Sequence, residues 1–194
     1  MRMLHPDGHA APRPIEIPVV VAALGPKGHA VARELGEGLF ATAGVPEFAK
    51  GFDWVAYHCL GTVLEEGEDR ASESVRAAGG PGTVLSYHGA YEFGEPVAEL
   101  PGGREWLAVV EQAAEDDRHL VVHEQHCVGL NPGDRAGWDA GAHAMLERST
   151  VSGKASQVTD RLKRLGEQGV TELVYQPAGE DIPCELERMW AALR

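Results

Sequence analysis

The feature that most constrains the fold is an unbroken apolar run over residues 17–23 that leads directly into a helix-start signal. The run is rich in Val and Ala and has no polar alternation, which is typical of a strand buried on both faces of a parallel sheet. Pro26 stands where a helix begins, residues 27–35 carry apolar side chains at helical spacing, and Gly36 and Gly38 end the pattern. This segment therefore predicts a strand, a tight loop and a helix.

The rest of the chain continues this alternation. Short apolar runs predict strands at residues 39–42, 53–64 and 171–176. Helical spacing predicts helices at residues 154–167, with Ser152 as the N-cap or the residue before it, and at residues 183–193. About four strands that alternate with helices predict an α/β protein with a parallel sheet.

A long segment between the third and fourth predicted strands has weaker signals. Residues 65–78 have the pattern of a polar helix, whereas residues 79–103 are crowded with glycine and proline and predict mostly irregular structure. Helices are predicted from Gly103 to about Asp117 and from Pro132 to Glu147, with a partly buried segment between them. We interpret about 79–150 as a helical and irregular insertion within a single domain that spans 1–194.

Charge and hydropathy exclude several classes of partner. The net charge of −13 repels phosphate backbones and anionic lipids, so neither nucleic acid nor a membrane surface is expected to bind. No apolar run approaches the roughly 20 residues that span a bilayer, and residues 1–11 lack the apolar centre of a signal peptide, so a cytoplasmic location is expected. Cys59, Cys127 and Cys184 are odd in number and far apart, which predicts free thiols.

Three stretches share their order, spacing and local sequence with one enzyme family. They are Ile17-Pro-Val-Val-Val-Ala-Ala-Leu-Gly-Pro-Lys27, Val151-Ser-Gly-Lys-Ala-Ser-Gln-Val-Thr-Asp-Arg-Leu162 and Gly169-Val-Thr-Glu-Leu-Val-Tyr-Gln-Pro-Ala-Gly179. They resemble the luciferase-like monooxygenase family of flavin- or deazaflavin (F420)-dependent oxidoreductases. In that family the first stretch is the fifth barrel strand and its loop, and the third stretch resembles the eighth strand.

The resemblance implies a partial (β/α)8 TIM barrel that contains only the C-terminal half, strands 5–8. A complete barrel has eight strands and typically about 250 residues. Met1 would therefore lie in mid-barrel, and the family's first four strands, which supply much of the cofactor pocket, have no counterpart here. Because four parallel strands leave two open edges, a homo-oligomer or a complementary barrel half is expected as a partner.

The resemblance also implies a cofactor, F420 or FMN, and a small-molecule substrate. The cofactor phosphate would bind at a loop between a strand end and a helix start, where backbone N–H groups and the helix dipole favour an anion. The loop of residues 22–27 resembles members that use F420 more than the luciferases. The residues implied in cofactor binding are Ala22, Ala23, Leu24, Gly25, Pro26 and Lys27, with Gln176 and Gly179 after the last strand. From spacing alone, an ordinary turn is the favoured interpretation of the first loop, and the resemblance reverses that preference. For the second loop, an ordinary turn and cofactor binding are equally supported.

Histidines at 119, 123 and 126 have a spacing that would place them on one helical face, as metal ligands require. Val121 and Val122 favour extended structure instead, so we predict hydrogen-bonded histidines and no metal site. By the resemblance, His123 and His126 remain weak candidates for catalytic or proton-handling residues. Tyr57 and Cys59 are predicted to pack in the core, and His88 falls in the segment predicted to be irregular.

Three functions are consistent with the sequence. The first is a flavin- or F420-dependent luciferase-like monooxygenase or oxidoreductase, in a form that is truncated relative to the family. The second is a non-catalytic half-barrel that serves as a binding or dimerisation module. The third is a metal-dependent barrel enzyme that uses the histidine segment.

Overall fold

The computed structural model of the protein describes residues 17–194, so the predictions for residues 1–11 lie outside the described residues. Within that range there are six strands. They are β1 Val20–Ala22, β2 Gly38–Ala41, β3 Val55–Cys59, β4 Val63–Leu64, β5 Gly153–Lys154 and β6 Glu172–Tyr175. Eight α-helices accompany the strands. They are α1 Gly25–Leu35, α2 Glu73–Glu92, α3 Gly103–Val110, α4 Arg118–His123, α5 Pro132–Asp139, α6 Leu146–Ser149, α7 Ala155–Glu167 and α8 Ile182–Ala192.

Four strands form one parallel sheet in the order β1-β2-β3-β6. This confirms the predicted α/β class with a parallel sheet. The register pairs Leu39 with Val55 and Tyr57 with Leu173, so their side chains alternate in step across the sheet. The strands all end on the same side, at the loops of residues 23–25, 42–44, 60–62 and 176–179, which we call the carboxyl edge. β4 and β5 form a separate parallel pair.

One face of the sheet is covered by helices that follow the strands. Leu39 and Val55 pack against Ala32 of α1 and Ala49 of a short 3-10 turn, and all four side chains are buried. Farther along the sheet, Cys59 packs against side chains of α7 and α8. Each helix thus contributes a small apolar stripe to one shared core, as in other α/β folds.

The helices α2 to α6 form a second layer with its own core, which we call the helical layer. Large aromatic and aliphatic side chains fill it, and Tyr87, Trp106, Trp138, Met145 and Leu146 are all at most 1% exposed. Among residues 17–194, no helix combines the length and apolarity that crossing a bilayer requires. The layer spans residues 73–149, and that it is an insertion within a single domain stays a prediction.

The prediction of one strand over residues 53–64 was wrong. The segment splits into β3 and β4, because Gly61 has φ +142° and turns the chain between them. A Cβ at Gly61 would lie 2.4 Å from the Val151 carbonyl oxygen, so this position admits no side chain.

The predictions of a polar helix at 65–78 and irregular structure at 79–103 were also wrong. Residues 65–72 form turns, and the helix α2 instead spans residues 73–92 with Pro81 inside it. Its glycines are sites of close packing. A Cβ on Gly82 would lie 2.9 Å from side-chain atoms of both Leu60 and Thr150. Tertiary packing has therefore overridden the local preference for irregular structure.

Three smaller predictions need correction. The helix from Gly103 ends at Val110, and the helix from Pro132 ends at Asp139, because Gly141 adopts φ +127°. Val121 and Val122, expected to be extended, lie in the short helix α4. Ser152 does not cap α7; its hydroxyl accepts a hydrogen bond from the Thr62 N–H at 3.0 Å, and Lys154 occupies the N-cap position.

Candidate functional site

The loop of residues 22–27 lies at the carboxyl edge and opens α1. Leu24, at the N-cap, makes no side-chain capping hydrogen bond, and no acidic side chain stands in the first helical turn. The first N–H groups of α1 therefore lack a side-chain acceptor. Gly25 adopts φ +68° and a Cβ there would have no neighbour within 4 Å, while Lys27 is exposed in the same turn. The free N–H groups of the first turn and the positive charge of Lys27 suit an anion.

A cavity of about 390 Å³ lies at the same edge, beside the loops that follow β2 and β3. Its volume is within the range typical of small-molecule sites. Two guanidinium groups, Arg148 and Arg161, line it together with the side chain of His58. Burial raises the pKa of Tyr57, which also lines the cavity, and Arg161 opposes that rise. Neither arginine was singled out from the sequence, since both lie on helices that are far along the chain from the loops after β2 and β3.

Gln176, after β6, makes hydrogen bonds with both ends of its amide. Its Oε1 accepts from His58 Nε2 at 2.8 Å, and its Nε2 donates to the Cys127 carbonyl at 2.8 Å. The side chain therefore joins the sheet to the segment that carries His123 and His126. Because β1 and β6 are three strand spacings apart, Gln176 lies roughly 14 Å from the α1 loop.

Gly179 lies in a different electrostatic setting from Gly25. It adopts φ +103° beside Ala78 of α2, at a cavity of about 350 Å³ that is lined by four carboxylates and one guanidinium, that of Arg188. These carboxylates are Glu73, Glu180, Asp181 and Glu185. Asp181 already caps α8, accepting from the Cys184 N–H at 3.0 Å. Cofactor binding by Gly179 stays a prediction, and the local negative charge weighs against a phosphate group there.

Cys59 is buried at the end of β3, where the prediction of core packing is confirmed. Burial raises its pKa to about 12. A thiol with so high a pKa carries almost no thiolate at neutral pH, and so it is not a nucleophile. The three cysteines of the chain are all free thiols.

The structure brings His123 and His126 together with His88, which comes from the C-terminal part of α2. The three ligand nitrogens all lie within 4.8 Å of one another. His88 Nδ1 is 2.9 Å from His126 Nδ1, and His123 Nδ1 is 3.5 Å from His126 Nδ1. His119, on the first turn of α4, is not part of this group, which we call the histidine cluster.

The buried carboxylate of Asp134 fixes the orientation of His88 in the histidine cluster. Asp134 Oδ1 accepts hydrogen bonds from His88 Nε2 and from Trp106 Nε1, each at 2.9 Å. The same residue forms a capping box with Asn131 at the start of α5. Asp134 and Trp106 are fully buried, and His88 is 2% exposed. The ring of His88 is therefore held in one orientation by the core of the helical layer.

The loop that carries His126 has an unusual backbone. Gln125 and Cys127, on either side of it, adopt positive φ angles of 61° and 62° although neither is glycine. Such conformations persist only where the surroundings enforce them and are found most often at functional sites. Burial lowers the pKa of His126, and the neighbouring His88 and His123 lower it further.

Sequence reasoning found two members of this cluster and missed the third, His88, together with Asp134, which orients it. His88 was assigned to an irregular loop, and Asp134 is separated from it by 46 residues. One signal for Asp134 was available, since Asn131-Pro132-Gly133-Asp134 has the spacing of a capping box. Nothing in the local pattern indicates that α2 passes beside this helix start.

Comparisons with known proteins add one distant relative. No family model matches the chain, and no solved structure matches it. The chain is similar to 5,10-methylenetetrahydromethanopterin reductase of Archaeoglobus fulgidus, with 27% identity over 198 residues. The alignment covers 87% of this chain and 51% of the reductase, so the chain spans about half the length of the curated relative that it matches. This similarity to a reductase supports the family resemblance only loosely.

Proposed function

We propose that this chain is half of a luciferase-like (β/α)8 barrel and that, when completed by a second half, it acts as an F420-dependent oxidoreductase on a small molecule. FMN is the alternative cofactor. The observation that carries the proposal is the open start of α1, with Lys27 in its first turn and no acidic residue beside it. It lies at the carboxyl edge of a parallel sheet, where (β/α)8 enzymes bind their ligands.

The order of the strands supports the barrel half. β1, β2, β3 and β6 lie side by side in the order in which they occur along the chain and are all parallel, as consecutive barrel strands are, with the helical layer and the β4–β5 pair between β3 and β6 in sequence. The chain matches about half of the reductase, which agrees with half a barrel. The finer assignments, that these are strands 5–8 and that the insertion belongs to the same domain, rest on the resemblance.

Two separate groups of residues would bind such a cofactor. The N–H groups at the start of α1 and the Lys27 ammonium would hold a phosphate, and Arg148 and Arg161 would attract further negative charge at the cavity beside β2 and β3. Reduced F420 or flavin supplies a hydride, and the protein supplies binding, orientation and exclusion of water. A reduced pterin of the kind that the relative's name describes is the first substrate class to test.

The second half of the barrel has an exposed apolar surface on which to pack. Leu35 of α1 is 62% exposed, and Leu186 and Trp190 of α8 are 47% and 59% exposed. These two helices flank the two ends of the sheet, where β1 and β6 each pair with one strand in the described part of the chain. We propose that a second copy of the chain or a complementary half covers these surfaces.

The test is a fluorescence titration of the purified chain with F420 and with FMN, with light scattering on the same samples. We expect F420 to bind to a dimer or to a reconstituted pair of halves, and Lys27→Ala to weaken binding about tenfold, because one charge-assisted contact is lost. Lys163→Ala, on the exposed face of α7, is the matched control and should leave the affinity unchanged.

Each outcome of this titration decides between functions. Equal affinity for Lys27→Ala and Lys163→Ala would exclude the α1 start as the phosphate site. A stable oligomer that binds neither cofactor would support the non-catalytic half-barrel in place of the enzyme.

A further inference from the structure

We propose that the histidine cluster, His88, His123 and His126, binds a divalent transition-metal ion. The cluster takes no part in the proposed cofactor site, and its three rings come from two separate helices and the loop after α4. Imidazole nitrogens are preferred ligands of zinc and of neighbouring metals in the series.

The distances between the nitrogens fit a single ion. Zinc binds imidazole at about 2.0–2.1 Å, so two ligands at a tetrahedral angle lie about 3.3 Å apart. The pairs that involve His126 Nδ1, at 2.9 and 3.5 Å, bracket that value. The remaining pair, His88 and His123, lies within the 4.8 Å limit of the group. Small side-chain rotations of the two exposed rings would equalise the three distances.

The tautomer of His88 is the one that metal binding needs. Its Nε2–H donates to Asp134 Oδ1, which leaves the Nδ1 lone pair directed at His126. A histidine whose second nitrogen donates to a carboxylate is the usual arrangement around a protein metal ion, because the carboxylate fixes the ring and increases its basicity. The indole of Trp106 donates to the same oxygen and keeps it in place.

Within the cluster, hydrogen bonding among neutral rings engages only two of the three nitrogens well, and the exposed ring of His123 is left to solvent. His126 Nδ1 can donate one proton, and His88 Nδ1 at 2.9 Å is its better acceptor. His123 Nδ1, at 3.5 Å from His126 Nδ1, then faces a nitrogen already engaged, at the outer limit of hydrogen bonding. A single cation accepts all three lone pairs at once.

The ligand set leaves one coordination position open. His123 and His126 are exposed, so the fourth position of a tetrahedral ion would face solvent. Three histidines with an open position are typical of zinc ions that bind water or substrate, whereas structural zinc sites use four protein ligands.

The test uses the full chain without F420 or FMN. The chain is stripped with a chelator, loaded with Zn²⁺, and then dialysed to remove the unbound metal. We expect one zinc per chain by mass spectrometry, and His123→Ala and His126→Ala should each weaken zinc affinity at least tenfold in competition with a chromophoric chelator. Both side chains are exposed, so neither change should unfold the protein, which circular dichroism would verify. His119→Ala, a histidine on α4 outside the cluster, is the matched control and should bind zinc as the unaltered chain does.

Two outcomes would overturn the proposal. One is an unaltered chain that retains no zinc after dialysis. The other is a loss of zinc in His119→Ala as large as in His126→Ala, which would indicate nonspecific binding by surface histidines. Because no flavin or deazaflavin is present, neither outcome bears on the proposed oxidoreductase function.

Discussion

The parallel sheet and the helical layer offer two different kinds of binding site. At the sheet, the groups that would hold a ligand are backbone N–H donors and one exposed cation, Lys27, at the start of α1. In the helical layer they are side chains, three imidazole rings set by a buried carboxylate and an indole. The first site suits an anion and follows from topology alone, whereas the second suits a cation and depends on packing between distant helices.

The largest expected effect is in the helical layer. Trp106→Ala should lower the free energy of unfolding by about 4 kcal/mol, because it leaves a large cavity and removes a hydrogen bond from Asp134. Urea unfolding followed by circular dichroism measures the loss. Phe93→Ala, 75% exposed at the end of α2, should change stability by less than about 0.5 kcal/mol. A loss below about 1 kcal/mol for Trp106→Ala would mean that the layer is not packed as described.

The next effect is in the sheet. Leu39→Ala should lower the free energy of unfolding by about 3 kcal/mol, because the side chain is only 1% exposed and packs against residues of α1 and β3. Leu39→Ala and Trp106→Ala should shift the same unfolding transition, since Gly82 of α2 packs directly on Leu60 at the carboxyl edge. Val174→Ala, 43% exposed on β6, serves as the control. Two transitions, each moved by one variant, would show that the helical layer is an independent domain.

The smallest effect concerns the α1 loop. Gly25→Val should lower the free energy of unfolding by about 2 kcal/mol, because a β-branched residue is strained at φ +68°. A Cβ at this position would meet no protein atom within 4 Å, so we expect a loss of F420 affinity beyond the change in stability to come from contact with the ligand. Gly89→Ala, in an open helical position of α2, is the control and should lose neither stability nor affinity. Unchanged F420 affinity in Gly25→Val would argue against this loop as the phosphate site.

The sheet and its covering helices were largely predictable because their signals are local. The apolar run before Pro26 and the run after Gly169 each specify a strand. The expectation that the first run is buried on both faces was wrong, because β1 and β6 are the two edge strands of the sheet in the described residues and are only partly buried. The helical layer was not predictable in this way. By themselves, Pro81 and Gly82 predict irregular structure. They occur in a helix instead, where Gly82 leaves room for the side chains of Leu60 and Thr150 to pack directly on the helix backbone.

The two candidate sites differ in the same way: one has a local sequence signal, and the other depends on contacts between distant segments. The α1 loop could be found from residues 22–27, whereas the histidine cluster needed His88 and Asp134 from elsewhere in the fold. Spacing drew attention to His119, which lies outside the cluster, as readily as to His126. Periodicity identifies which residues share a helix face, but it carries no information on which helix that face meets.

The contact between Gly102 and Gly137 bears on how such a protein can evolve. Gly102 has φ +72°, and a Cβ there would lie 2.1 Å from the Gly137 carbonyl oxygen, beside the Tyr87 hydroxyl. A Cβ at Gly137 would in turn lie 2.6 Å from Cε2 of the Tyr87 ring. Residue 102 can therefore accept no side chain while the Gly137 backbone stays in place, and residue 137 can accept none while Tyr87 stays in place. Among descendants of this sequence, we expect both glycines to persist as long as a tyrosine occupies position 87.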